Sequence, residues 1–375
     1  MILNGIEYKV ALTDKTPEEI ENKFKKILED NGKPEEVEDL LSQYPSLPGF
    51  VGPYLFAIYY KCISDFKKAA CLVDEAISKL KADSVNSSSK NISDGSIYHF
   101  IYEPLEKQLW PQAAEIYANV DRFNDSLEAY KQYQLQHCRI KGYNVSGGLL
   151  SFRPISKYAL SDLINNQLTV CSPRVMNDPF DTLLLSWGDY YLNNKQGRKY
   201  IEPYVKSMDY YRIRSFSKIP KGEDGPGILS NVLMWSHYAD NHYGMCIEYH
   251  FSDEFTKIDD DRVLRFRDVK YKPKEETVSL NISTINTDLS LLTKMDAWKY
   301  EKEVRLISYI PGVEGQFVPI GLDSASRIKN IYFGIRCPSS DIATVRSVLK
   351  GQDVHFYQMR PFPTDIFNPI IDLID

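Results

Sequence analysis

The spacing of apolar residues changes along this chain of 375 residues, and Gly147-Gly148 mark the point of change. Before these glycines, apolar residues recur with the spacing of one helical face, which is typical of amphipathic helices. After them, short runs such as Met245–Tyr249 alternate in the manner of half-buried strands. Strand candidates there outnumber helices and do not alternate regularly with them. The sequence therefore predicts an all-helical domain over 1–145, followed by a mixed, strand-rich α+β domain over 146–375.

Two segments of the N-terminal half resemble the second helix of a tetratricopeptide unit. Phe66 and Phe123 each open a stretch in which small or apolar residues lead into an apolar helical face. The two phenylalanines are further apart than the ~34 residues of a regular array, so we expect the polar run 84–93 to loop out. A plain helical bundle without repeat ancestry is the alternative, and either form offers a surface for a protein partner. Helices are expected over 16–30 and from Pro53, Asp65 and Arg122 onward.

Composition narrows the classes of partner and compartment. The formal net charge of −6 argues against a general nucleic-acid coat, although a local basic groove is not excluded. The six cysteines are scattered without a Cys-x-x-Cys pair, which favours reduced thiols over a disulfide framework or a structural zinc site. The start lacks a secretory signal, and no apolar run approaches the ~20 residues of a membrane span. We expect a cytoplasmic protein that neither enters a membrane nor holds a metal.

The C-terminal pattern predicts a series of short elements. Helices are expected over 158–165, 287–298 and 342–350. Strands are expected over 149–154, 168–171, 210–216, 245–249, 269–271, 304–309, 331–333 and 354–357.

One stretch in this half is unusually rich in aromatic and polar residues. Within Leu233–Tyr249, two aromatic-polar clusters precede Gly244, and the alternating pattern of a strand follows it. A short helix that runs into a glycine with a strand behind it can hold polar groups at a sheet edge.

Six motifs follow one another in this half: Phe-Arg-Pro-Ile-Ser (152–156), Met-Asn-Asp-Pro-Phe-Asp (176–181), Ser-Phe-Ser (215–217), Leu-Met-Trp-Ser-His-Tyr-Ala-Asp-Asn-His-Tyr-Gly (233–244), Trp-Lys-Tyr-Glu-Lys-Glu-Val-Arg (298–305) and Ile-Lys-Asn-Ile-Tyr-Phe-Gly (328–334). Their order resembles the bacterial domain-of-unknown-function family numbered 2971. The resemblance covers roughly residues 149 to 360 and carries no established chemistry.

The layout is also similar to a distant ADP-ribosyltransferase of the arginine–serine–glutamate type. That resemblance implies split sheets with an NAD site spread over three strands. Arg153 would lie on the first strand, Ser215 and Ser217 on the second, and Glu301 and Glu303 on the third. Residues i and i+2 of a strand share a face, so each pair should point together.

The resemblance also implies roles for these residues. Cleavage of the nicotinamide–ribose bond develops positive charge on the sugar, and a nearby carboxylate stabilises such a cation. Glu303 is the candidate for this, with Glu301 orienting or deprotonating the acceptor. Ser217 would hold the arginine or the nicotinamide amide.

Further residues complete the implied cofactor site. Arg153 would clamp the pyrophosphate through its planar fork of donors, with Arg212 and Arg214 as rivals for that role. Tyr238 or Tyr243 would stack on the nicotinamide ring.

Four more side chains are candidates for the site. His237 can act as a general acid or base beside Tyr238, because imidazole titrates near neutrality. Asn177 and Asp178 open a turn, and their side chains either stabilise this turn or contact substrate. Trp235 is a further candidate for contact with substrate.

We expect an enzyme that transfers ADP-ribose from NAD or cleaves NAD, in a bacterial defence or stress system, with the helical part sensing a partner. The first alternative is a non-catalytic protein that binds a small ligand or peptide. The second is a metal-dependent nuclease built from Asp178, Asp181, Glu248 and His237. Catalysis on NAD requires Arg153, Ser217 and Glu303 to converge in one pocket, so this convergence separates the first two hypotheses.

Overall fold

The chain forms two compact units, of which one contains residues 1–133 with 195–207 and the other residues 134–194 with 208–375. The first unit is built from helices and the second contains a ten-stranded sheet, so the predicted order of a helical region and a strand-rich α+β region is confirmed. No helix in the described part of the chain is long and apolar enough to cross a membrane. The computed structural model describes residues 2–3, 6–7, 16–45, 47–89, 108–140, 147–178, 181–182, 198–219, 227–251, 263–273, 287, 291–310, 312–322, 326–362 and 365–374.

Most of the helices precede residue 141, and most of the strands follow it. The helices are α1 (Thr16–Glu29), α2 (Pro34–Ser42), α3 (Val51–Cys62), α4 (Phe66–Ser89), α5 (108–119), α6 (Phe123–Ile140), α7 (Lys157–Ile164), α8 (Arg198–Met208), α9 (Val232–Tyr238) and α10 (Ser339–Val348). The strands are β1 (Ile2–Leu3), β2 (Ile6–Glu7), β3 (Gly147–Arg153), β4 (Gln167–Cys171), β5 (Tyr211–Lys218), β6 (Met245–Phe251), β7 (Val263–Asp268), β8 (Lys270–Lys272), β9 (Thr293–Met295), β10 (Glu303–Tyr309), β11 (Phe317–Gly321), β12 (Ser326–Phe333), β13 (His355–Phe362) and β14 (Asp365–Leu373).

The helical unit packs its apolar stripes into one core that includes residues from α1 to α6. Helix α2 was not expected from the sequence, although Pro34 in its first turn is a recognised helix-start signal. In the structure the backbone N–H of Lys33 donates to Glu36 Oε1 (2.9 Å) at this helix start. The loop expected over 84–93 is wrong as far as Ser89, since α4 continues to that residue, and 90–93 lie outside the described residues. Extending an existing helix through polar residues is easy once its first turns have formed.

The large sheet forks at β5. One edge of β5 pairs with β10 along its whole length, while the other edge meets two different strands. On that second edge Ile213 pairs with Cys171 of β4, and Ser217 pairs with Leu150 of β3. The two neighbouring strands therefore diverge around Ser215. The strand order is β11-β4-β5-β3-β6-β12-β13-β14, with β10 joining β5 to β7.

The helix expected over 287–298 is wrong for its last six residues. Thr293–Met295 form β9, which pairs in parallel with β8, and a 3-10 helix follows over Asp296–Glu301. The backbone N–H of Lys270 also donates to the carbonyl of Leu292 (2.7 Å), so pairing with a distant strand replaces the local helical hydrogen bonds. Tertiary pairing of this kind overrides a weak helix propensity.

The two faces of the sheet bury different sets of side chains, because successive residues of a strand point to opposite sides. Leu149, Phe216 and Tyr249 belong to the main core on one face. Leu150 and Cys246 belong to a smaller apolar cluster on the other face, where α9 packs. This alternation decides which strand residues can reach a common site.

The turn between α9 and β6 is tightly fitted. Asp240, Asn241 and His242 all have positive φ, which reverses the chain before Gly244 and β6. The short helix ending near a glycine, with a strand behind it, agrees with the sequence prediction. A Cβ added to Gly334 would lie 2.2 Å from the carbonyl oxygen of His242, so a side chain at that position cannot be accommodated without moving the turn.

We expect Gly334→Ala to lower the free energy of unfolding by about 1–3 kcal/mol, the range for overpacking a close contact. The matched control is Gly321→Ala, where an added Cβ has open space. The control should change stability by less than about 0.5 kcal/mol. Urea denaturation of both variants tests this, and equal stabilities would contradict the tight fit at Gly334.

Candidate functional site

A pocket of about 90 Å³ lies where the sheet forks. Its volume is several times the ~10–15 Å³ that one water molecule needs. The strands β3, β5, β9 and β10, the helix α9 and the segment after β4 all contribute to its wall. The lining residues are Leu150, Phe152, Met176, Asn177, Ser215, Phe216, Ser217, Met234, Tyr238, Lys294, Glu301 and Glu303.

Two carboxylates of the pocket meet at one buried lysine. The Nζ of Lys294 donates to Glu301 Oε2 (2.7 Å) and to Glu303 Oε2 (2.9 Å), and the Lys294 side chain is only 4% exposed. The ring of Trp298 lies over the same ammonium group, with 5.4 Å between Nζ and the ring centroid. The lysine therefore fixes the separation of the two carboxylates.

A second cation, Arg305, binds Glu303 from outside the pocket lining. Arg305 is fully buried, and its Nε donates to Glu303 Oε1 at 2.8 Å. Its Nη2 donates to Asp181 Oδ2, and Lys294 Nζ lies 3.5 Å from that same oxygen. Asp181, Lys294, Glu301, Glu303 and Arg305 thus form one connected set of buried charges, which we call the ion network.

The pKa values of the two pocket carboxylates are shifted in opposite directions. Burial alone would raise the pKa of Glu303, but Arg305, Lys294 and a hydrogen bond with Ser215 outweigh burial and lower the pKa to about 2. Burial raises the pKa of Glu301, and the charge of Lys294 offsets this only in part. Glu303 is therefore ionised throughout the neutral range, whereas Glu301 is the carboxylate that more readily takes up a proton.

Glu301 also has a neutral partner on the pocket wall. The hydroxyl of Tyr238 donates to Glu301 Oε1, and Asn177 hydrogen-bonds to the same hydroxyl. Burial, followed by the Glu301 charge, raises the pKa of Tyr238, so its hydroxyl keeps its proton. Tyr238 thus acts as a donor that orients one oxygen of Glu301.

The rest of the wall is apolar and polarisable. Leu150 and Phe152 come from β3, and the thioethers of Met176 and Met234 come from two other segments. Trp235 lies behind this wall: it is fully buried, its ring packs edge-on against Phe152 at 5.1 Å, and its Nε1 donates to the carbonyl of Leu229.

Six of the side chains singled out from the sequence line this pocket. They are Asn177, Ser215, Ser217, Tyr238, Glu301 and Glu303. Ser217 pairs with Glu303 across the β5–β10 ladder, and Ser215 pairs with Arg305. The prediction that Glu301 and Glu303 share a strand face is wrong. Glu301 ends a 3-10 helix, and Lys302 has a positive φ of 47°, so a turn brings the two carboxylates together.

The structure places Arg153 away from the pocket. Leu150 and Phe152 point into the pocket, so the alternation of β3 directs Arg153 to the opposite face of the sheet. There its Nη1 donates to Asp162 Oδ2 at 3.0 Å. The expected convergence of Arg153 with Ser217 and Glu303 therefore fails at this residue.

The two rival arginines do not line the pocket either. Arg214 alternates with Ser215 on β5 and donates to Ser151 Oγ at 2.8 Å. Arg212 donates to backbone carbonyls, including that of Val313 at 3.2 Å. Arg212 is buried and Arg214 is half-buried, and both occupy positions of β5 that face away from the pocket, so none of the three arginines is available there as a pyrophosphate clamp.

The remaining candidates lie outside the pocket lining. His237 is exposed and shares a hydrogen bond of 2.9 Å between its Nδ1 and the hydroxyl of Tyr300. Tyr243 is 46% exposed, and Arg336 lies over its ring. The carbonyl of Asp178 accepts from the backbone N–H of Asp181 (2.9 Å), which is the turn expected there. Trp235 supports the wall from behind and does not line it.

The residues considered for a metal-dependent nuclease enter separate networks. Asp181 belongs to the ion network, and His237 bonds to Tyr300. Glu248 accepts from His250 Nε2 (2.7 Å) and from Asn330 Nδ2 (2.6 Å) in a different cluster. In the described ranges, no group of three or more His, Cys, Asp or Glu side chains is placed to hold a metal ion.

Sequence reasoning missed Lys294 altogether and missed the role of Asp181 and Arg305. Lys294 was assigned to a helix, and nothing in its local pattern indicates that it meets carboxylates seven and nine residues ahead. Asp181 belongs to the Met-Asn-Asp-Pro-Phe-Asp motif, whose final carboxylate could have been matched to a buried cation.

We expect Lys294→Met to lower the free energy of unfolding by about 3–5 kcal/mol, because it leaves buried carboxylates without a counter-charge. The deficit should shrink as the pH falls, since Glu301, whose pKa is raised by burial, then takes up a proton and loses its charge. Denaturant titrations between about pH 4 and pH 8 measure both effects.

The control is Lys299→Met, an equal substitution at an exposed position of the neighbouring 3-10 helix. It should change stability by less than about 0.5 kcal/mol. A similar loss at both lysines, or no loss at Lys294, would contradict the structural role of the ion network.

Comparison with known proteins gives one family match. A family model described as "Protein of unknown function (DUF2971)" matches residues 234–306. This range includes most of α9, all of β6 and the residues Lys294, Glu301 and Glu303 that line the pocket. Searches of curated proteins and of solved structures each gave no match. The match over residues 234–306 supports the resemblance to this family that the motifs of the sequence predicted.

Proposed function

We propose that this pocket binds the nicotinamide end of NAD and cleaves the bond between nicotinamide and ribose. The observation that carries the proposal is the meeting of two carboxylates with two serines and a tyrosine in one pocket, where the surroundings shift the pKa values of the two carboxylates in opposite directions. Pairs of titratable groups with diverging pKa values are a common feature of acid–base catalysis.

Glu303 suits the stabilisation of a sugar cation. When the bond between C1′ and the nicotinamide nitrogen breaks, its electron pair leaves with the ring and positive charge develops on the ribose. The pKa of about 2 keeps Glu303 ionised at that moment. Arg305 and Lys294 hold the carboxylate in a fixed orientation, so no reorganisation is needed as the charge develops.

Glu301 suits the proton transfer that completes the reaction. Water or an acceptor group attacks C1′ and must lose a proton, and a carboxylate whose pKa is raised by burial is a suitable base for it. Tyr238 orients this carboxylate through its hydroxyl. The products are nicotinamide and either ADP-ribose or an ADP-ribosylated acceptor.

The proposal is restricted to the nicotinamide and its ribose. Phe152 and Tyr238 offer ring faces to the nicotinamide, and Ser217 offers a hydroxyl to its amide. Arg153 faces away, and Lys294 is engaged by three carboxylates, so neither supports a contact with the pyrophosphate. A protein partner for the helical unit and a role in bacterial defence or stress belong to the same proposal and rest on the repeat-like sequence pattern.

One observation favours a second candidate, a pocket that binds a small ligand without cleaving it. Both oxygens of Glu303 are already in ion pairs, with Arg305 and with Lys294. Such saturation is also what a purely structural carboxylate shows, and it weakens the field that Glu303 applies to a ligand.

Release of nicotinamide from NAD by the purified full chain tests the proposal. We expect Glu303→Gln and Glu301→Gln each to lower turnover by about 10² or more, which is the scale of losing a charge stabiliser or a general base. Glu314→Gln, the same substitution at an exposed position, should leave turnover unchanged. Thermal unfolding of each variant must be recorded, because Glu303 also belongs to the ion network.

Two results would count against cleavage. Equal turnover in wild type and both pocket variants would remove these carboxylates from the chemistry. Binding of NAD without any release of nicotinamide would favour the second candidate, the non-catalytic pocket.

A further inference from the structure

We infer that the pocket is selective for an aromatic cation, whose positive charge is balanced by Glu301. The inference rests on the proposed function only in naming the oxidised nicotinamide ring as the natural ligand. The preference for a cation itself rests on the charges and the wall of the pocket.

The ion network carries more negative than positive charge. It joins three carboxylates, of Asp181, Glu301 and Glu303, to two cations, Lys294 and Arg305. One negative charge is therefore left without a counter-charge inside the network when all five groups are ionised. A buried charge without a partner is costly, and either a proton or a cationic ligand removes that cost.

The excess charge falls on Glu301 and on Asp181, whose buried Oδ1 has no hydrogen-bond partner in the described part of the chain, and of these two only Glu301 lines the pocket. Glu303 is bonded by both cations, and Asp181 is bonded by Arg305 with Lys294 close by. Among the residues that the structure describes, Glu301 has Lys294 on one oxygen and the neutral hydroxyl of Tyr238 on the other. Of the three, Glu301 is also a lining residue, whereas Asp181 lies outside the pocket lining.

The wall favours a flat ring with delocalised charge. Phe152 and Tyr238 contribute aromatic rings, and Met176 and Met234 contribute polarisable thioethers. Aromatic faces attract cations, and sulfur packs well against aromatic edges. A compact ammonium group, which is strongly hydrated, gains less from such a wall.

This preference has a consequence for the proposed reaction. The oxidised nicotinamide ring carries a positive charge, and it becomes neutral when the glycosidic bond breaks. The attraction to Glu301 is therefore present for the substrate and absent for the leaving nicotinamide. For the same reason, we expect the reduced dinucleotide, whose ring is neutral, to bind more weakly than the oxidised form.

Proton release should accompany binding of the cation. Burial raises the pKa of Glu301, so this carboxylate takes up a proton more readily than an ordinary glutamate when no ligand is bound. A bound cation stabilises the ionised carboxylate and displaces that proton. Affinity for the cation should therefore rise as the pH rises through the pKa of Glu301.

Three probes with the same ring and different charge test the inference by calorimetry on the full chain. They are the 1-methylnicotinamide cation, neutral nicotinamide and the nicotinate anion. We expect the cation to bind about tenfold or more tightly than nicotinamide, in line with a cation–π and charge contribution of ~1–2 kcal/mol, and nicotinate to bind weakest. Glu301→Gln should abolish the difference between cation and neutral ring, and Glu314→Gln should retain it.

Several outcomes would overturn the inference. These are equal affinity for the cation and nicotinamide, a preference that persists in folded Glu301→Gln, and no binding of any probe at millimolar concentration. The result is separable from that of the cleavage assay. Cation preference without NAD turnover would reject only the proposed reaction, and turnover without cation preference would reject only this inference.

Discussion

The pocket depends on one buried interaction, the bridge from Lys294 to Glu301 and Glu303. Lys294 belongs to β9, Glu301 ends a 3-10 helix and Glu303 begins β10, so three short elements meet at a single ammonium group. Arg305 extends the bridge to Asp181 in the segment after β4. Separating a buried charge from its partner is costly, so this network holds Lys294, Glu301 and Glu303 together in the pocket wall.

The alternation of side chains along each strand then decides which other residues line the pocket. On β5 the odd positions Ser215 and Ser217 face the carboxylates, while Arg214 faces the other side. On β3 the same rule admits Leu150 and Phe152 and removes Arg153. The divergence of β3 and β4 beside β5 leaves the space in which these side chains form a pocket.

The sequence predicts much of this arrangement where periodicity is the only information needed. The period of a strand places Ser215 and Ser217 on the same face of β5. The same period predicts the strand β6 after Gly244. Strand periodicity does not apply to Glu301. Lys302 has a left-handed conformation, and β10 begins only after it, so Glu301 lies outside the strand. Lys294 could not be predicted at all, because its place depends on the parallel pairing of β9 with a distant strand.

One cluster holds two neighbouring carboxylates whose pKa values are shifted in opposite directions, and the whole account of the pocket depends on this difference. Carbon-13 NMR titration of the glutamate carboxyl groups, with Glu301→Gln and Glu303→Gln used for assignment, tests this directly. We expect Glu303 to titrate with a pKa of about 2 and Glu301 to titrate above the ordinary value of 4.5. Titration of both groups together near 4.5, or in the reverse order, would contradict it.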